Sequence, residues 1–135
     1  MRRRLAAIVL ALVPAAGHAD PCEGPLPARP GVTVSGTVRY VGDGDSLCVG
    51  DGPDPARWVE VRLADFDAPE LRAPGGADAK ARLARLVLGR PIACVTSAGR
   101  NGRVRVHDRV IARCKVAGRP LGAQIRALGG RDGGR

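Results

Sequence analysis

Two short runs carry residues that could do chemistry. "VRLADFDAPE", Val61 to Glu70, places Arg62 on an apolar run and three carboxylates, Asp65, Asp67 and Glu70, within six residues just past its end. "GDGD" places Asp43 and Asp45 in a glycine turn some twenty residues earlier. Asp in a turn commonly caps its own backbone, and each run alone reads most simply that way. Together they ask for more. Carboxylates gathered at one place repel unless a cation lies between them, and hard oxygen ligands suit Ca²⁺ or Mg²⁺. An arginine beside them calls for an anion. Carboxylates, a hard metal and arginines describe a site for phosphoryl chemistry.

The elements that must position these residues are mostly strands. In "VTVSGTVRYV" the positions Val32, Val34, Gly36, Val38 and Tyr40 share one face, predicted to point inward, and Thr33, Ser35, Thr37 and Arg39 share the other. "SLCVG" follows the GDGD turn, and "DGPDP" turns the chain into "ARWVEVRL". That run places Val59, Val61 and Leu63 inward and Glu60 and Arg62 outward. "GGADAKARLARLVLG" has Ala79, Leu83, Leu86 and Val87 at helical spacing, with Gly89 as the stop signal. "PIACVTS" and "RVIARCKV" read as two more strands, the second with Val110, Ala112, Cys114 and Val116 inward, and "PLGAQIRAL" as a short helix. Five strands, with a helix between the third and fourth, predict a mainly β fold with a small helical part: a five-stranded Greek-key barrel of the OB type. The barrel domain is expected over residues 32–129, after a loose Pro-rich lead-in at 20–31 and before a Gly-rich tail at 130–135.

Residues 1–19 read as a leader: "MRRR", then the apolar "LAAIVLALVPAA", then Gly17-His18-Ala19 as a cleavage site before Asp20. The apolar run, broken at Pro14, is short for a membrane span. The expectation is an exported protein, periplasmic or secreted. The chain carries 22 basic residues against 13 acids, a net charge of +9, and +6 without the leader's three arginines. Arginine-rich composition alone fits a GC-rich coding sequence, but it does not account for seven basic residues and one acid between Arg100 and Arg119. Such a stretch suits a polyanion. All four cysteines lie beyond the leader, an even count that predicts two disulfides in an oxidising compartment. Cys94 and Cys114, inward on neighbouring strands, favour one bridge, which leaves Cys22 with Cys48. No CxxC pair and no suitably spaced histidines speak for zinc.

The runs "VRYVGDGDSLCV", "VRLADFDAPE", an Ala- and Leu-rich helix and "DRVIARCKVAGRPLG" together resemble, in order and spacing, the staphylococcal nuclease (thermonuclease) family over roughly residues 34–129. The resemblance implies a monomeric, Ca²⁺-dependent phosphodiesterase that cuts DNA and RNA with little sequence preference and leaves 3′-phosphates. It implies Asp45, Asp67 and the backbone carbonyl of Ala68 as Ca²⁺ ligands, with Asp43 behind them. It further implies Glu70 as general base, and Arg62 and Arg109 as arginines on the scissile phosphate. There are departures. The tyrosines typical of the family reduce here to Tyr40, His107 stands where the family often has Tyr, and the family's further C-terminal helix is absent. Two other readings stay open: a nucleic-acid-binding OB module that turns over poorly, and a disulfide-stapled domain whose acids hold Ca²⁺ for structure alone.

Overall fold

The structure, a computed structural model, describes residues 20–133. The expected leader at 1–19 lies outside the described residues. The elements run β1 (Thr33–Asp43), β2 (Ser46–Gly50), β3 (Val59–Leu63), α1 (Gly76–Val87), β4 (Pro91–Thr96), β5 (Arg105–Val106), β6 (Arg109–Val116), β7 (Arg119–Pro120) and α2 (Leu121–Ala127). The strands pair in the order β3-β2-β1-β4-β6, and β3 also pairs with β6, in parallel, which closes a five-stranded barrel. The fold is mainly β with two helices, as the alternation predicts. The short β5 and β7 add to β6.

Closure depends on β1. Its first half pairs with β4 and its second half with β2, so one long strand serves two neighbours. Register shifts between Val38 and Tyr40 and between Val41 and Asp43 let it bend. The first shift also corrects the predicted face of Tyr40. Val41, not Tyr40, takes the inward place after Val38, and Tyr40 is half-buried with the Lys80 ammonium 5.8 Å from its ring centre.

The barrel interior is filled by Val38, Leu47, Val61, Leu63, Val110 and Val116, each at most 1% exposed. α1 caps it with Ala79, Leu83 and Val87 buried and Leu86 partly so. The helix stops at Leu88, whose N–H still bonds to Ala84, and Gly89 follows at φ +77°, a conformation glycine adopts without cost. α2 buries Leu121 and Ile125 beneath the barrel's β6 side. Burial of such side chains contributes about 1.5–3 kcal/mol each.

The lead-in is not loose. The Cys22–Cys48 disulfide anchors it to β2, Glu23 and Gly24 donate backbone N–H to Pro55 and Trp58, and Gly31 donates to Thr96. This segment covers the outer face of β2 and β3, where Cys48 pairs with Glu60. All of β2 is therefore buried, and so is Glu60, which the alternation had assigned to solvent. The second disulfide, Cys94–Cys114, joins directly opposed residues of β4 and β6. Both pairings are as expected, and no described cysteine is free. Among the described residues no helix is long and apolar enough to cross a membrane.

Candidate functional site

The turn between β1 and β2 and the loop after β3 meet at one end of the barrel. The Asp45 carbonyl accepts from Leu63 N–H at 2.8 Å, and Asp45 Oδ2 accepts from Ala68 N–H at 2.9 Å. Gly44 makes this approach possible, because a Cβ there would lie 2.5 Å from Ala68 Cβ and 2.6 Å from Ala79 Cβ. Within the turn, Asp43 Oδ1 accepts from Asp45 N–H and from the Ser46 hydroxyl. Asp43 is thus the turn's own clasp, the role common for Asp in such positions.

Arg62 joins the two acidic segments. Its Nη2 lies 2.5 Å from Asp67 Oδ1 and 3.6 Å from Asp45 Oδ2. Asp45, Arg62, Asp67 and Ala68 therefore form one connected group, with Asp43 directly behind. Burial, strongest of the influences on Asp45, and the neighbouring Asp43 push its carboxyl up to about 7, against the Ala68 N–H and Arg62. Burial also acts to raise Asp43, but hydrogen bonds from Ser46 and Asp45 outweigh it and hold that group below the usual carboxylate range. The turn favours one negative charge on Asp43 and leaves Asp45 wanting a cation or a proton.

Arg62 and Asp67 line a cavity of about 420 Å³ together with Arg109, Arg100, Asn101 and His107. Arg109 opens β6 after a two-residue turn, His107-Asp108, in which His107 takes φ +59°. Arg109 also lines a second cavity of about 440 Å³, with Asp43, Glu60, Lys80 and Asp20. Glu70 stands apart. It lies three residues beyond Asp67, is exposed, lines neither cavity, and its side chain takes part in no hydrogen bond or ion pair among the described residues.

The structure thus brings together Asp45, Arg62, Asp67 and Ala68, sets Asp43 behind them and Arg109 in the lining of the same cavity, and leaves Glu70 at the surface. Arg100 and Asn101 went unnoticed as individual positions in the sequence, although the Arg-rich stretch marked the region. Glu60 stood in the sequence only as an outward strand residue, with no sign of a role. Its carboxyl is pushed up to about 8, first by burial, then by Asp20 and Asp108, against Arg109.

What stands established is a class of protein: a closed five-stranded barrel with two disulfides and an acid–arginine cluster where two loops meet. No protein-family model matches the chain, and no curated protein matches it either.

Proposed function

We propose that this protein is an exported, Ca²⁺-dependent nuclease of the staphylococcal nuclease type, acting as a monomer on phosphodiester bonds of DNA and RNA with low sequence specificity and leaving 3′-phosphates. The observation that carries the reading is the Arg62 guanidinium between Asp45 and Asp67, beside a cavity that Arg109 also lines. Two acids from separate turns converge on one positive charge, which a metal ion could replace. Asp45, Asp67 and the Ala68 carbonyl are donors of the hard oxygen type that Ca²⁺ prefers, and they would hold it. The bound ion would supply charge neutralisation for phosphate oxygens in the transition state.

The remaining roles fall to side chains. Arg62 and Arg109 line the same cavity and can share the two non-bridging oxygens of a diester between their guanidiniums. Entry of the phosphate would draw Arg62 from Asp45 and Asp67, exposing both carboxylates. Charge growing on the equatorial oxygens then strengthens both arginine contacts, which lowers the barrier rather than merely tightening the ground state. Glu70, on the same loop as Asp67, accepts the proton of the attacking water as the P–O5′ bond breaks, which leaves the 3′-phosphate, and the departing 5′-oxygen takes a proton from solvent. The two disulfides and the leader-like start support export.

One observation favours the binding-module reading: Glu70 lines neither cavity. Incubating the purified protein with plasmid and with single-stranded RNA, in Ca²⁺ and in EGTA, separates the two. Cleavage in Ca²⁺ alone is the expected result. Retention of both nucleic acids without cleavage in millimolar Ca²⁺ would replace the nuclease by a binding module.

A further inference from the structure

Glu60 is an acid that the phosphodiester site does not use. It is only 7% exposed, and its Oε2 is sealed from solvent with no hydrogen-bond partner. Ionising a buried carboxyl is costly unless something positive meets it, and native structures seldom leave such an oxygen alone. Two other acids converge on it: Asp20, at the start of the lead-in, and Asp108, in the turn between β5 and β6. One carboxylate oxygen from each of the three lies within 4.8 Å of the other two. Asp20 spends Oδ1 on the Cys22 N–H, an Asx turn that orders it. None of the three takes part in the ion pairs found among the described residues, although Arg109 lies near enough to favour ionisation of Glu60. Glu60 and Asp20 both face the 440 Å³ cavity, so the cluster is open to an ion from solvent.

We propose that Asp20, Glu60 and Asp108 form a second site for a hard divalent cation, Ca²⁺ in an exported protein, distinct from Asp45 and Asp67. A Ca²⁺ ion with oxygens at about 2.3–2.6 Å spans about 5 Å between opposed ligands, so three oxygens within 4.8 Å of one another fit one coordination sphere. Water from the cavity completes the shell. Three carboxylates, one of them buried, bind more tightly than two: affinity on the order of 10⁻⁵–10⁻⁴ M is expected. The ion would tie together three segments remote in sequence, the lead-in, β3 and the turn that delivers Arg109. This inference does not depend on the nuclease reading.

The test is calorimetric titration of CaCl₂ into a variant whose first site is disabled, Asp45→Asn with Asp67→Asn. That variant should still bind about one Ca²⁺ per chain, and Ca²⁺ at about 100 times its Kd should raise its Tm by 5 °C or more. Adding Glu60→Gln, which keeps the shape and removes the charge, should abolish both the heat and the shift while circular dichroism stays unchanged. Asp108→Asn, at an exposed turn, should weaken binding at least tenfold and serves should the Glu60 variant fail to fold. Absence of Ca²⁺ binding in the double variant would overturn the site. So would titrations unchanged by Glu60→Gln or, if that variant does not fold, by Asp108→Asn.

Discussion

The carboxylate of Asp132 accepts a hydrogen bond from the backbone N–H of Asp67, 3.0 Å away and 65 residues earlier in the chain. Gly133 N–H returns a bond to the Asp67 carbonyl, and Arg126 holds Asp132 while donating to the Asp65 carbonyl. The Asp67 N–H is the chief reason the Asp132 carboxyl sits below its ordinary range. A glycine-rich end that reads as a tail in the sequence is a clamp on the loop carrying a candidate metal ligand. Asp132→Ala should cost about 0.5–1.5 kcal/mol in stability, the scale of one hydrogen bond with an exposed ion pair. On the nuclease reading it should also lower Ca²⁺-dependent turnover about tenfold, as loss of an outer partner of a metal ligand does. Unfolding curves and Ca²⁺ titrations of the rate would check both.

The raised carboxyls set a pH dependence. Between the ordinary range near 4 and their folded values, about 7 for Asp45 and about 8 for Glu60, the folded chain holds protons that the unfolded chain has given up. Stability of the metal-stripped protein should therefore fall as pH rises from about 4.5 to 8, and level off above. Asp43 and Asp132, with lowered values, act oppositely but only below the ordinary carboxylate range, where their stabilisation is lost. Saturating Ca²⁺ should narrow or reverse the trend, because the ion prefers ionised ligands. Scanning calorimetry at about pH 5.5 and 8.5, with and without Ca²⁺, reads this out.

Glu70→Gln distinguishes catalysis from binding. The amide can still accept a hydrogen bond from water but cannot take its proton, so turnover should drop at least about 10²-fold. Nucleic-acid affinity should stay within a few-fold. On the nuclease reading, Arg62→Ala and Arg109→Ala should lose affinity as well as turnover, because both guanidiniums would meet the phosphate before and during reaction. Plasmid cleavage by Glu70→Gln at the parent rate would remove the general base from the mechanism.

Gly44→Ala probes the approach of the first turn to the core. The new methyl would press on Ala68 and Ala79, both buried, at 2.5 and 2.6 Å. Overpacking of this kind costs about 1–3 kcal/mol. Because Ala68 N–H is also a partner of Asp45, Ca²⁺ affinity should weaken along with stability, whereas Gly52→Ala, in open space, should change neither. Paired unfolding and calorimetric measurements on the two variants give the comparison.

The barrel was legible because β1, β3 and β6 alternate inward and outward residues and short apolar runs bounded by turns mark β2 and β4, and both disulfides followed from Cys94 and Cys114 facing inward. The face of Tyr40 was not, because a register shift after Val38 reverses the alternation and leaves no mark on residue type. Glu60 was misplaced for a different reason. Period-two reasoning separates the two sides of a strand but does not say whether a later or earlier segment covers the outer one, as the lead-in does here. Of the site, the acids and Arg62 stood out by proximity in sequence. The clamp from Asp132 did not, since its partner is a backbone N–H, which every residue offers.

The parallel pairing of β3 with β6 carries one more consequence. Asp45, Arg62 and Asp67 come together within the first three strands, whereas Arg109 joins them only when β6 zips onto β3 and completes the cylinder. A chain whose first three strands have paired but whose β6 has not yet reached β3 holds one half of the proposed phosphate grip and not the other. On the nuclease reading, activity should therefore require the closed cylinder and not the two acidic loops alone.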